Sequence, residues 1–191
     1  MLSDELIQFL NSKNYFLLKK EVDGKLNSIL YSVQKSILEA WNSKDDWNLP
    51  GEVSRVARKI NKGNNYKGFP YQVFDFPSIL QEKDIFSFRV IVWYGNLFSV
   101  NLIISDKFIP LFENRLDQFC KRETYLLKSQ KVWETDTSDL DRLLISEESL
   151  GEVLSYFQKN NSIRLFRLFK MNQINDINRL TVECFNDWFA K

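Results

Sequence analysis

The stretch IFSFRVIVWYGNLFSVNLIIS, residues 85–105, constrains the fold more than any other part of the chain. On both sides of its central Gly-Asn, apolar and polar residues alternate as they do in two β-strands joined by a tight loop. The apolar sets are Phe86, Phe88, Val90, Val92 and Tyr94 on the first arm, and Phe98, Val100, Leu102 and Ile104 on the second. Both sets share one face of a hairpin if Tyr94 pairs with Phe98, with Gly95-Asn96-Leu97 as the loop, because a one-residue slip mixes the two faces.

A further strand is predicted just before this hairpin, at residues 71–76 in the sequence YQVFDF. The segment is too short for a helix and rich in aromatic residues, and its two flanking prolines suit the ends of a strand. The short link to the hairpin favours antiparallel pairing with its first arm. Alternation then buries Phe74 and Phe76. Asp75 is expected on the opposite face, where it meets Arg89.

The rest of the chain is predicted to form helices and a few more strands. Apolar spacing predicts helices at residues 3–10, 23–42, 52–62, 108–121, 149–159 and 176–190. Residues 124–138 fit one strand or a second hairpin, and residues 163–171 fit a strand better than a helix. This order predicts one α+β domain over residues 1–191, with a helical part at 1–62 and the sheet and further helices at 66–191. The sheet is expected to be antiparallel, to have about four to five strands with the 85–105 hairpin at its centre, and to be covered by helices.

The absence of histidine removes a large part of enzyme chemistry. Without an imidazole, the chain has no Ser–His–Asp or Cys–His nucleophile and no His-ligated metal. The two cysteines, Cys120 and Cys184, are far apart in the sequence and are expected to be reduced and buried. The six glycines form no phosphate-binding loop motif. No metal or cofactor is therefore expected, and an enzyme here would have to use carboxylates, Lys, Tyr or Ser.

Net charge and the composition of individual segments indicate the cellular location and the class of partner. The formal net charge is +1, so no overall field draws the chain to nucleic acid or anionic lipid. No apolar run reaches the length of a membrane helix. The first residues, MLSDELIQFLNSKN, carry acids where a secretory signal carries positive charge. The expected location is the cytoplasm, and neither a membrane nor nucleic acid is the expected partner of the chain as a whole.

Polar side chains on the second face of the hairpin form a candidate ligand site: Arg89, Trp93, Ser99 and Asn101. Arginine offers forked donors to a carboxylate and tryptophan offers a flat surface for stacking, which suits a small anionic ligand or a peptide. The alternative is a structural role, in which the face is covered and Arg89 bonds a neighbouring acid such as Asp75. Both interpretations remain open at the level of sequence.

Asp75 is the candidate for acid–base catalysis, because it is the only acid between residues 66 and 81 and lies between two phenylalanines. Apolar surroundings disfavour an ionised carboxylate, and enzymes use this effect to prepare a general acid or base. The sequence places no second carboxylate beside it. A structural salt bridge or turn contact explains the same residue without catalysis.

A basic stretch, SRVARKINKGNNYKG at residues 54–68, is a candidate nucleic-acid site. Its members are Arg55, Arg58, Lys59 and Lys62, with Tyr66 close by. On the predicted helix at residues 52–62, the four cations lie along one side and could contact phosphates while the tyrosine stacks on a base. An ordinary solvated helix face has the same composition.

A non-enzymatic cytoplasmic binding or adaptor domain of unspecified ligand fits these features best, because catalytic motifs are missing and aromatic residues for an interface are plentiful. One alternative is a carboxylate-based enzyme for a small anionic substrate, with Asp75 as acid or base and Arg89 as the anion-binding group. Another is a weak nucleic-acid binder acting through residues 52–62. A homodimer is also expected, because chains rich in aromatic residues tend to hide apolar patches from water.

Overall fold

The computed structural model describes residues 1–43 and 46–190. Its helices are α1 (Asp4–Asn11), α2 (Lys13–Asn42), α3 (Pro110–Glu113), α4 (Leu150–Lys159) and α5 (Ile177–Phe189). Its strands are β1 (Asn61–Tyr66), β2 (Phe69–Leu80), β3 (Ile85–Trp93), β4 (Leu97–Ser105), β5 (Tyr125–Leu127), β6 (Arg142–Leu144) and β7 (Ser162–Lys170). Short 3-10 helices lie at Asp106–Phe108, Leu116–Lys121, Glu147–Ser149 and Met171–Asp176. Within these described residues, no helix is both long enough and apolar enough to cross a membrane.

The seven strands form one antiparallel sheet in the order β1-β2-β3-β4-β7-β5-β6. The β3–β4 hairpin lies in the middle of the sheet, as predicted. Strand β7 confirms the strand predicted at residues 163–171 up to Lys170, while Met171 begins a 3-10 helix. The predicted α+β fold is confirmed, with more strands than expected because β1 and β6 each add an edge strand.

One face of the sheet packs against helices α2 and α5 and forms the hydrophobic core. The fully buried residues of these helices include Leu30, Val33, Ile37, Phe185 and Trp188. Phe88 of β3 contacts Phe185 and Trp188, with ring centroids 5.5 and 5.8 Å apart. Burial of each large apolar side chain stabilises the fold by roughly 1.5–3 kcal/mol, so this face is the main source of stability.

The β3–β4 hairpin keeps the predicted faces but not the predicted pairing. Trp93 pairs with Leu97, so the loop is Tyr94-Gly95-Asn96 and not Gly95-Asn96-Leu97. The shift from the expected register is two residues, which leaves every side chain on its predicted face. The loop closes here because Gly95 adopts a φ of +72°, a conformation that favours glycine, and the Asn96 N–H donates to the Trp93 carbonyl at 3.1 Å.

Strand β2 confirms the predicted strand at residues 71–76 and extends it at both ends. Phe74 and Phe76 are fully buried. Asp75 lies opposite Arg89 in the β2–β3 pairing, as predicted. The prolines do not end the strand, because the register shifts just after Asp75 and forms a bulge, where the missing N–H of Pro77 is tolerated.

The predicted helix at residues 52–62 is absent. Residues 52–60 are irregular, and β1 follows them. The cause is a long-range contact of Gln34, a buried residue of α2. The Gln34 amide donates to the Arg58 carbonyl at 2.9 Å, and the Arg58 N–H donates to the Gln34 side-chain oxygen at 2.7 Å. These peptide groups are the ones that a helix would need for its own hydrogen bonds. Val56, which was expected to face inward, is exposed.

Two other helices differ from the prediction in extent. Helix α2 begins at Lys13, well before the predicted start at residue 23. The helix predicted at residues 108–121 is broken into α3 and two 3-10 segments. Its apolar side is nevertheless buried as expected, through Ile109, Phe112, Leu116 and Phe119. Helix α1 is confirmed, with the Ser3 side chain accepting a hydrogen bond from the Leu6 N–H at its start.

Candidate functional site

The second face of the sheet, opposite the helices, carries the predicted site residues in one row. Asp75 of β2 lies beside Arg89 of β3, which lies beside Asn101 of β4. Arg89 donates two hydrogen bonds to the Asp75 carboxylate, at 2.7 and 3.1 Å, and the Ser87 hydroxyl donates a third. The salt bridge predicted from strand alternation is therefore formed. It is partly shielded from water, with the Arg89 and Asp75 side chains 21% and 9% exposed.

A buried arginine that the sequence did not single out continues this row. Arg164 of β7 is 3% exposed and donates to the Asn101 side-chain oxygen at 2.7 and 3.0 Å. It also donates to the main-chain carbonyls of Val132 and Glu134. Burial, together with nearby Arg89, lowers the pKa of the Arg164 guanidinium to about 10. The available signal was an arginine between Ile163 and Leu165 in a segment predicted as a strand.

Residues 128–141, which we call the covering segment, pack against this face. Residues 124–138 were expected to form one strand or a hairpin, but of these only Tyr125–Leu127 forms a strand, which pairs with β6 and β7. Trp133 of the covering segment stacks on the Arg89 guanidinium, with Cζ 4.4 Å from the ring centroid. Val132 beside it is buried. The centre of the second face is therefore packed against protein.

Asp136 fastens the covering segment to the β1–β2 hairpin. Its carboxylate accepts hydrogen bonds from Lys67 Nζ at 2.8 Å and from Ser138 Oγ at 2.6 Å. Its main-chain N–H donates to the Tyr66 hydroxyl at 3.0 Å. The hydrogen bonds from Lys67 and Ser138 lower the pKa of the Asp136 carboxyl to about 2. Tyr66, a residue predicted to bind nucleic acid, therefore makes contacts inside the fold. Its ring centroid also lies 5.2 Å from that of Trp93.

The four predicted ligand-binding residues lie together on this face but differ in accessibility. Ser99 and Asn101 are 0% and 1% exposed, and they are hydrogen-bonded to each other at 3.1 Å. Trp93 is buried and its indole N–H donates to the Tyr66 carbonyl at 3.3 Å. Arg89 keeps a partly exposed side chain. A ligand from solvent could thus touch Arg89, whereas Ser99 and Asn101 lie beneath protein.

A cleft of about 290 Å³ lies beside Asp75. Its lining residues are Arg58, Lys59, Asn61, Asp75, Ser78 and Leu80. The structure therefore brings the catalytic candidate Asp75 next to two predicted nucleic-acid residues, Arg58 and Lys59, which the sequence treated as a separate site. The Arg58 guanidinium donates to the Ser78 carbonyl at 3.4 Å. This cleft offers two exposed cations and one shielded carboxylate to a small polar ligand.

The remaining basic candidates lie elsewhere. The Arg55 guanidinium stacks on Trp41, 4.9 Å from the ring centroid, and donates to the Asn42 side chain at 2.8 Å. Lys62 lies on the edge strand β1 and is exposed. Because no helix forms at residues 52–62, these cations do not make the single row that was predicted.

A long apolar surface lies on the N-terminal helices. We call residues 1–22 the arm: it contains α1 and the first part of α2, and none of its residues is buried. Ten of its large apolar side chains are 43–64% exposed: Leu2, Leu6, Ile7, Phe9, Leu10, Tyr15, Phe16, Leu17, Leu18 and Val22. Phe9 contacts Tyr15 and Phe16, with ring centroids 4.5 and 5.7 Å apart, which ties α1 to α2 across Ser12. The sequence showed these apolar residues but not that they stay uncovered.

An apolar groove of about 450 Å³ lies where the arm meets the sheet. Its lining residues are Val22, Lys25, Leu26, Ile29, Val92, Tyr94, Gly95, Met171, Ile174 and Asn175. The Tyr94 hydroxyl donates to the Asp23 carboxylate at 2.8 Å, and the Gln72 amide donates to the Asp23 carbonyl at 3.0 Å. We call these two bonds the Asp23 latch, since they fix α2 to the sheet where the arm begins. Burial, together with the Asp23 carboxylate, raises the pKa of the Tyr94 phenol well above its usual range, so Tyr94 remains a donor.

The described residues thus offer two surfaces for binding, a small charged cleft beside Asp75 and an extended apolar arm with a groove at its base. No protein-family model, curated protein or solved structure matches this chain.

Proposed function

We propose that this chain is a non-enzymatic binding or adaptor domain of the cytoplasm, and that the arm is the element that binds a protein partner. The observation that carries this proposal is the set of ten large apolar side chains on the arm, all at least 43% exposed. Monomeric proteins rarely leave a contiguous apolar surface of this kind in water. An amphipathic helix that lies in an apolar groove is a common mode of protein recognition. We expect the partner to be a protein with an apolar, helix-accepting surface.

The engagement of the polar groups supports a binding role over a catalytic one. The Asp75 carboxylate accepts three hydrogen bonds, from Ser87 and Arg89, which leave it poorly placed to exchange protons with a substrate. Burial raises the pKa of the Cys184 thiol to about 12, and burial also raises the pKa of the Cys120 thiol. Neither thiol is a ready nucleophile at neutral pH, because the thiolate is the reactive form.

Amine-reactive cross-linking in cells that express the chain tests the proposal. Lys13, Lys19 and Lys20 lie on the arm, and Lys159 at the end of α4 is an exposed control. We expect the arm lysines to cross-link to a second polypeptide. These cross-links should disappear in a Leu6→Asp/Leu10→Asp variant, while any made by Lys159 persist. Arm lysines that cross-link only within their own chain contradict the proposal.

The cleft beside Asp75 supports a second candidate, a carboxylate-based enzyme that acts on a small anionic substrate. Asp75 would serve as acid or base, and Arg89 would bind the anion together with Arg58 and Lys59. The test is turnover of hydrolase, nuclease and transferase substrates by the wild type and by Asp75→Asn. Turnover that is lost in a folded Asp75→Asn variant favours the enzyme. A wild type without turnover leaves the cleft with at most a ligand-binding role.

A further inference from the structure

We propose that the partner of the arm is a second copy of this chain, and that α1 of each copy lies in the apolar groove of the other. This inference rests on the proposed binding role of the arm and adds the identity of its partner. The apolar lining of the groove comes from Val22, Leu26, Ile29, Val92, Met171 and Ile174. A reciprocal exchange of this kind has two-fold symmetry and closes on itself, so it yields a dimer and not an open chain of molecules.

The arm is apolar around its whole circumference at the start of α2. Tyr15, Phe16, Leu17 and Leu18 are consecutive and 46–64% exposed. Four consecutive residues cover slightly more than one helical turn, about 3.6 residues. A helix that is apolar on all sides is typical of one surrounded by protein. A flat partner would cover one side only, whereas the arm and groove of a second copy can contact several sides.

Helix α1 is short and presents leucines on one side. It has eight residues, and a helix of this length spans about 12 Å. Leu6 and Leu10 lie one turn apart on the same side of α1. The groove of its own chain does not hold α1, since no α1 residue is buried. Continuous helix separates Ser12 from Val22 by about 15 Å.

The charges of the arm and the groove allow this pairing. Helix α1 carries Asp4 and Glu5 and no basic residue, whereas the groove is lined by no acid and by Lys25, which pairs with Glu21 at 2.6 Å. Over residues 1–25, the four acids are Asp4, Glu5, Glu21 and Asp23, and the four lysines are Lys13, Lys19, Lys20 and Lys25. These charges cancel, so two arms do not repel each other as they approach.

The exposed apolar area of the arm is a large part of what a stable dimer needs. Its ten large apolar side chains are each about half exposed. An aromatic side chain can bury about 150–250 Å², and the seven aliphatic ones are smaller, so the ten together offer several hundred Å². A stable interface of standard size buries about 800 Å² on each partner. The arm supplies a large part of this area, and the groove adds to it.

Sedimentation velocity of the purified full-length chain at low and high protein concentration tests this inference. We expect the wild type to pass from monomer to dimer as its concentration rises. Leu6→Asp/Leu10→Asp disables the arm and Ile29→Asp disables the groove, and each should raise the dissociation constant about tenfold or more because a carboxylate is buried without a partner. Val56→Asp is the matched control: Val56 is 71% exposed, lies outside both surfaces, and its substitution should leave the constant unchanged.

Mixing the two disabled variants distinguishes exchange from simple pairing of arms. The Leu6→Asp/Leu10→Asp protein keeps its groove and the Ile29→Asp protein keeps its arm. Their mixture should form one of the two exchange contacts and dimerise more strongly than either variant alone. If Ile29→Asp dimerises like the wild type, or if the mixture gains nothing, the groove is not the receptor and the inference is overturned.

A wild type that stays monomeric at all concentrations rules out a second copy as the partner. Cosedimentation of that monomer with phosphatidylcholine vesicles would identify lipid as the ligand of the arm and overturn both proposals. Cross-links from the arm lysines to a different polypeptide in cells would overturn the second copy and leave the proposed binding role in place. Failure of the inference is therefore distinguishable from failure of the proposed function.

Discussion

Charge balance under the covering segment depends on single residues. Asp75, Arg89, Asn101 and Arg164 form a continuous hydrogen-bonded row across four strands. The row holds one carboxylate and two guanidinium groups, and both arginines are largely shielded from water. Asp75 is therefore the carboxylate that directly balances the charge of Arg89.

Substitution of Asp75 by Ala is expected to lower the free energy of unfolding by about 3 kcal/mol, because it leaves Arg89 without a counter-charge. Replacement of both Asp75 and Arg89 by Leu should cost less, since both partly buried charges are then removed. Urea denaturation measures the two losses. If the double variant loses more stability than Asp75→Ala, the Asp75–Arg89 pair itself stabilises the fold, and the cost of an unpaired Arg89 is not the main effect.

The attachment of the covering segment through Asp136 depends on pH. A carboxyl whose pKa is depressed by folding stabilises the folded state above its ordinary pKa, and this stabilisation is lost as the pH falls through the folded value. For Asp136 the window runs from 3.8 down to about 2. We expect main-chain hydrogen exchange at residues 132–137, corrected for the intrinsic rate, to become faster as the pH falls through this window. In Asp136→Asn the exchange should already be fast at neutral pH, and unchanged protection there would show that other contacts hold the segment.

At the scale of elements, periodicity was a good guide wherever the deciding contacts were local. Strand alternation and helical spacing were enough for the two faces of the β3–β4 hairpin, though not for its pairing, and for β7, α4 and α5. The Asp75–Arg89 pair was predictable for the same reason, because the face of each side chain follows from its position in a strand. Residues 52–60 were predicted wrongly because the deciding partner, Gln34, lies 24 residues from Arg58.

Two features of the binding surfaces could not be predicted from sequence periodicity: the path of the covering segment and the exposure of the arm. The covering segment has no regular pattern, and its path is set by Trp133 on Arg89 and by Asp136 on Lys67, contacts between distant parts of the chain. The sequence pattern of the apolar residues of the arm is the same whether another layer covers them or they are exposed. Whether they stay exposed depends on the length of α2 relative to the sheet, which the sequence alone does not reveal.

The contact between α2 and residues 52–60 can be tested through Gln34. Gln34→Ala should lower the free energy of unfolding by about 1–3 kcal/mol, because both peptide groups of Arg58 lose their partner. Lys35→Ala is the matched control, since its side chain is 77% exposed, and such a surface change costs at most about 0.5 kcal/mol. Hydrogen exchange at the Arg58 amide should become fast in Gln34→Ala alone. An amide that stays protected would indicate a different restraint on this segment.

At the scale of the molecule, the described residues form a body of three layers and an arm outside it. The helices, the sheet and the covering segment pack on one another, whereas the arm contributes no buried residue to this packing. Folding of the body should therefore be independent of the arm.

Two substitutions in the same helix test this independence. Leu17 is 64% exposed and Ile37 is 0% exposed, and both belong to α2. Leu17→Asp should change the free energy of unfolding of the monomer by at most about 0.5 kcal/mol. Ile37→Asp should prevent stable folding, because it places an unpaired charge in the core. Denaturation followed by circular dichroism at low protein concentration measures both. A large loss in Leu17→Asp would make the arm part of the core.

Helix α2 is one continuous helix of 30 residues, held to the sheet by the Asp23 latch. A tilt of the first part of α2 would therefore pivot on that latch. The segment from Ser12 to Asp23 is about 16 Å long, so each degree of tilt at the latch displaces Ser12 by about 0.3 Å. Gly24 lies next to the latch, and glycine has the lowest helix propensity of any residue except proline. Because glycine makes a helix easier to bend, we expect a ligand that fills the adjacent groove to change the direction of the arm.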